Sequence, residues 1–111
     1  SMVLPTFLTF GGQRYKIEFK KGLKRKGQEL LGECIYSKNT IYLSPDQGID
    51  SLKSTLLHES IHAGANAIDW DVHEETVIKI EKLLYAMVKE NPSFFRWLLQ
   101  KESIPVTDEI V

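Results

Sequence analysis

The sequence predicts an α+β domain, with strands in its first half and helices in its second. Alternating, β-prone segments all lie before Ser44, and apolar residues recur at helical spacing only after Asp50. No strand pattern follows a helix pattern, so an alternating βαβ design is not expected. The expected architecture is a small antiparallel or mixed sheet from the N-terminal half, packed on three C-terminal helices. A chain of 111 residues and 12.7 kDa fits one domain. That domain is expected over 2–102, followed by a loose tail at 103–111. Ser1 reads as an expression remnant ahead of Met2.

Each element has a local reason. Phe7 to Phe10, Gly11-Gly12 and Tyr15 to Phe19 read as two strands joined by a glycine turn. In the second, Tyr15, Ile17 and Phe19 alternate with Lys16, Glu18 and Lys20, the pattern of a half-buried strand. Lys20 to Gln28 carries Lys20, Lys21, Lys24, Arg25 and Lys26 and reads as a solvated loop, with phosphate or partner binding as the sharper alternative. It lacks the interleaved aromatics of a single-strand binder. Leu30 to Tyr36 and Thr40 to Leu43 read as a second hairpin turning at Ser37-Lys38-Asn39. Asp50 is the expected N-cap of a helix to about Ala67, with Leu52, Leu56, Leu57, Ile61 and Ala65 on its apolar face. A second helix is expected from about Val72 to Glu90, burying Val77, Ile80, Leu84, Met87 and Val88. Asn91-Pro92 ends it and opens a third, apolar helix with Phe94, Phe95, Trp97, Leu98 and Leu99.

Composition narrows the function. Hydrophobic residues make up 42% and charged residues 26%, a globular balance rather than a disordered one. Net charge is −1, so no global basic field exists and nucleic acid is not expected as a partner. The single cysteine, Cys34, excludes an internal disulfide and a cysteine-rich zinc knuckle. No apolar run approaches the roughly 20 residues of a spanning helix, and the start does not read as a signal peptide. A cytoplasmic protein with no membrane partner is expected.

The chemistry sits in His58-Glu59-Ser60-Ile61-His62, an H-E-x-x-H sequence inside the first expected helix. Positions i and i+4 share a helical face, so both imidazoles can meet one metal ion. Glu59 lies about 100° round the axis, where it can reach a metal-bound water as general base without being a ligand. By chance such a motif arises in a chain this short on the order of once in a few hundred sequences. A catalytic zinc takes three protein ligands and keeps one position open. The next polar cluster is His73-Glu74-Glu75. Glu74 shares a helical stripe with Val77, Ile78 and Glu81, and His73 one with Val77, Ile80 and Leu84, whereas Glu75 falls with Lys79 and Lys82. The faces thus leave His73 and Glu74 open as third ligand. Asp71 and Glu74 also have capping-box spacing, and Asp69 or Asp71 could orient a ligand imidazole.

The run Thr55-Leu56-Leu57-His58-Glu59-Ser60-Ile61-His62-Ala63 resembles small zincin-like metallopeptidase domains of phages and prophages, in the broad ImmA/IrrE-like and SprT-like grouping. Glu74-Glu75-Thr76-Val77, Glu90-Asn91-Pro92 and Phe95-Arg96-Trp97-Leu98 are similar to the same group. The resemblance covers about Leu30 to Leu99. It implies a minimal zincin-like fold and a gluzincin-type site, with His58, His62 and Glu74 on Zn2+ and Glu59 as base.

On that reading the protein is a phage- or prophage-encoded zinc metallopeptidase that cleaves a peptide or protein substrate. The substrate is expected along the edge of the strand Thr40 to Leu43, and the oxyanion donor among Tyr36, Tyr42 and Tyr85. The alternative is a weak or inactive zinc-binding module that binds a phage or host regulatory protein, with Phe94, Phe95 and Trp97 as a partner surface. Oligomeric state is open.

Overall fold

The computed structural model describes residues 3–101. The expected tail at 103–111 and the Ser1-Met2 start lie outside the described residues. The architecture is α+β, as the sequence predicts: a mixed four-stranded sheet from the N-terminal half and three helices from the C-terminal half.

β1 (Phe7–Phe10) and β2 (Gln13–Phe19) form an antiparallel hairpin over Gly11 and Gly12, both at positive φ. The loop expected over 20–28 instead holds a two-stranded ribbon, β3 (Lys24–Arg25) and β4 (Gln28–Glu29). Two-residue strands are too short to show a period, which is why the sequence reads there as loop. β5 (Gly32–Ile35) pairs antiparallel with β6 (Thr40–Leu43), across a 3-10 turn at Tyr36–Lys38 closed by Asn39 at φ 45°. The two hairpins join through a parallel pairing of β2 with β6, giving the order β1-β2-β6-β5. β6 is therefore interior and buried, with Thr40, Ile41 and Leu43 shielded from water. The open edge expected at Thr40 to Leu43 belongs to β5, because β2 and β5 already take both sides of β6.

α1 (Ile49–Ala67) crosses one face of the sheet, touching β1, β5 and β6. Tyr15, Ile17, Ile41, Leu43 and Ala63 form the buried core, with Leu8, Phe10, Cys34, Leu52 and Leu56 packed round it. Small residues on α1 let the sheet come close: a Cβ on Gly64 would stand 3.6 Å from the Phe10 ring. The N-cap is Gly48, and Asp50 lies in the first turn, where its charge favours the helix dipole. The chain reverses tightly after α1, through Asp69 at φ 56° and a Trp70 N–H that donates to the Ala65 carbonyl at 2.8 Å.

α2 (Glu74–Glu90) packs on α1 with Val77 fully buried. It starts two residues later than expected. His73, not Asp71, is its N-cap, and Glu74 is its first residue, so no capping box forms. Val88 is exposed rather than buried. α3 (Pro92–Leu98) follows Asn91 and packs on α2. Phe94 and Trp97 stack on each other but stay 45% and 49% exposed, so they are not core residues of the described chain. No helix among the described residues is long and apolar enough to cross a membrane.

Candidate metal centre

α1 presents His58 and His62 one turn apart, their ring centroids 5.2 Å from each other. The tight turn at Asp69 brings the start of α2 back over them. Glu74 then bridges the pair: one carboxylate oxygen contacts His58 Nε2, and the other lies 3.3 Å from His62 Nε2. A ligand atom from each of the three residues falls within 4.8 Å of the others, so the group could hold a metal ion. Four donors about 2.0–2.1 Å from a tetrahedral zinc stand roughly 3.3 Å apart. The His62 to Glu74 separation has that size.

A second layer fixes the first. Glu81 lies two helical turns beyond Glu74 on the same stripe of α2, and its Oε1 is 3.1 Å from His58 Nδ1. Ser54, one turn before His58 on α1, donates its hydroxyl to the other Glu81 oxygen. Nδ1–H is then held by Glu81 and Nε2 keeps its lone pair for an ion, the arrangement by which outer carboxylates orient ligand histidines.

Beside the trio opens a cleft of about 370 Å³, walled by β5 through Gly32, Glu33 and Cys34 and by Tyr36 and Arg25. Arg25 reaches across to Glu33 at 3.1 Å. Glu59 lines the cleft, and burial, with Glu74 and Glu33 nearby, pushes its carboxyl up to about 7. Burial lowers the His62 imidazole, favouring its neutral, ligating form. Burial and the charge of Glu59 push the Cys34 thiol up to about 12, so it is not a thiolate near neutral pH.

The half-buried Glu59 makes a prediction for the metal-free protein. Below pH 4.5 the carboxyl is neutral folded or unfolded and costs nothing. As pH rises towards 7 the unfolded chain releases the proton while the folded one keeps it, so stability falls; the loss is complete above 7. In chelator, Glu59→Gln is expected to exceed wild type at pH 8 by about 3 kcal/mol, with little gain near pH 4.5. Denaturant melts at the two pH values read this directly; equal stability at pH 8 would contradict it.

Other expected residues fall elsewhere. His73 and Glu75 are exposed and outside the trio. Neither Asp69 nor Asp71 bonds a histidine among the described residues; Glu81 takes that place. Tyr36 is on the cleft wall, but Tyr42 lies under Lys20, and Tyr85 lines a separate apolar groove with Leu57, Leu84 and Val88. Glu81, Ser54 and Glu33 are the site residues that the sequence does not single out, and Arg25 is read there only as part of the basic run. The stripe shared by Glu74 and Glu81 is the one signal pointing to any of them.

No family model and no solved structure matches the chain. Among curated proteins it is similar to the small ribosomal subunit protein mS80 (rPPR6) of Arabidopsis thaliana, at 29% identity over 87 residues. The match covers 77% of this chain and 15% of that protein. This finding corrects the functional assignment drawn from the motif. The relative is named as a ribosomal subunit protein, so the zinc metallopeptidase and its inactive variant acting on a phage or host regulator give way, together with the phage setting. There is a physical reason for the error. H-E-x-x-H fixes where an ion and a base stand on a helix, but the bond that is attacked depends on the surrounding surface, which the motif does not encode.

Proposed function

We propose that this chain is a zinc-binding domain, with the ion held by His58, His62 and Glu74 and Glu59 alongside as proton acceptor. The convergence of the three donors from two helices carries this reading. Two imidazoles and one carboxylate are a set on which zinc keeps a position open, whereas structural zinc sites close with four ligands. The donor set thus supports a reactive centre over a purely structural one. Zinc there would supply Lewis acidity and lower the pKa of water in its open position. The chain's own part is to orient His58 through Glu81, keep His62 neutral, and hold a half-buried carboxyl at the cleft. From the relative's name we take the ribosome as the setting in which the centre works.

A thermal melt tests the reading. At a free zinc concentration about a hundred times its Kd, binding adds about 2.7 kcal/mol. For a domain of this size Tm should rise by roughly 10–20 °C. Magnesium, which prefers oxygen ligands, should leave Tm unchanged. No shift with zinc, or an equal shift in Glu74→Ala, would overturn the assignment.

A further inference from the structure

The run that leads into the β3–β4 hairpin and forms its first strand and tip is the most concentrated positive charge on the molecule, with Glu29 facing Lys24 across the hairpin. Five of the seven residues from Lys20 to Lys26 are cationic, and no acid occurs between Phe19 and Gln28. Lys20, Lys21, Lys24, Arg25 and Lys26 are all exposed. The hairpin is nevertheless pinned. Leu23 is 5% exposed beneath it, and the Leu30 N–H donates to the Leu23 carbonyl at 2.9 Å. Its two-residue tip, Lys26-Gly27, has both φ values positive, 51° and 80°, as a tight hairpin turn of primed type requires. Among the described residues Lys21, Lys24 and Lys26 have no acidic partner within 4.0 Å. Among the described residues their charge is thus open to an outside anion.

The hairpin reaches the metal centre through Arg25, which pairs with Glu33. Arg25 lines the same cleft as His58 and His62. The linear run has no interleaved aromatics, but the fold brings them in from elsewhere. Tyr36, 44% exposed, shares the cleft wall with Arg25; Phe19, 53% exposed, adjoins Lys20; and Lys20 Nζ sits 4.8 Å over the Tyr42 ring. Cations beside open rings are what a single strand needs, because phosphates take the charges and unpaired bases stack on the rings. A run of acidic side chains alone would use the cations but has no use for the rings.

We propose that this hairpin binds the backbone of a single-stranded polynucleotide and lays it beside the metal centre. The binding surface stands on the hairpin alone; only its delivery to the ion rests on the zinc reading. A net charge of −1 does not oppose this, since five of the chain's 14 cations are gathered here and screening confines the effect of distant acids to about 10 Å.

Fluorescence anisotropy with labelled RNA and DNA oligonucleotides of about a dozen nucleotides tests it, on zinc-loaded and on chelated full-length protein. Either strand should bind at low salt, and the two arms tell which sugar is preferred. The slope of log K against log salt should be about −3, for four to five neutralised phosphates. Joint replacement of Lys20, Lys21, Lys24 and Lys26 by Gln should weaken binding about a hundredfold. Joint Lys79→Gln and Lys82→Gln on α2 should leave it unchanged. Chelated protein should still bind, so a failed metal site would not mask the result. The proposal is overturned by no binding at low salt, by equal loss in both sets of variants, or by binding that vanishes on chelation. Polyglutamate of matching length binding as tightly would also overturn it and make the hairpin an acidic-peptide surface.

Discussion

Replacing His58 by alanine is expected to lower zinc affinity several hundredfold, and replacing Glu81 by glutamine ten- to a hundredfold. Zinc sites gain roughly 10–16 kcal/mol from their whole ligand set, so one ligand accounts for on the order of 3–4 kcal/mol. Glu81 never meets the ion. It accepts from His58 Nδ1, and Ser54 occupies its second oxygen, so both the tautomer and the ring angle of His58 depend on it. Glutamine keeps the shape but loses the charge that strengthens the bond to Nδ1–H. Ser54→Ala should cost less than either, because Glu81 keeps its oxygen on His58. Competition against a chromophoric chelator measures all three. A Glu81 variant as tight as wild type would mean that packing alone sets the His58 ring.

The second large effect is steric. Gly32→Ala is expected to destabilise the fold by about 1–3 kcal/mol. A Cβ at this position would lie 2.5 Å from Thr55 Cγ2, 3.2 Å from the Tyr42 carbonyl oxygen and 3.3 Å from Glu59 Cγ. Thr55 cannot easily yield, because it is buried and its hydroxyl donates to Gln47 at 3.0 Å. Either β5 lifts from α1 or the helix shifts, and both disturb the wall of the cleft. Tm should fall by roughly 5–15 °C. Thr55→Ser removes Cγ2 while keeping the hydroxyl, so the double variant should regain part of the loss. Equal destabilisation with and without Thr55→Ser would show that the clash is not with that methyl.

Gly32 also illustrates what the sequence hides. Nothing in its neighbours says that a helix passes beneath it, because the approach is made by residues more than twenty positions away. Local signals were enough for β1, whose Phe7–Phe10 limits match the pattern, and for β6, which is both β-prone and bounded by turns. The parallel seam between β2 and β6 is non-local, so the edge expected on β6 passed to β5. The β3–β4 ribbon was illegible for want of length. At the site, helical periodicity placed His58 and His62 on one face but left His73 and Glu74 open. The structure brings Glu74 in and leaves His73 outside as the N-cap of α2. That choice turns on where α2 begins, and Asp71 offered a competing cap two residues earlier. Glu81 was visible on the Glu74 stripe, yet a carboxylate two turns along a helix points to a histidine only once the partner helix is in place. The activity was the least legible of all, since four residues define an ion and a base and leave the substrate to the surface around them.

Zinc content by mass spectrometry, on tag-free protein purified without chelator and beside Glu74→Ala, tests the central claim most directly. About one zinc per chain in the wild type and none in the variant is the expected result. No zinc after reconstitution, or one zinc in both proteins, would contradict a centre built from His58, His62 and Glu74.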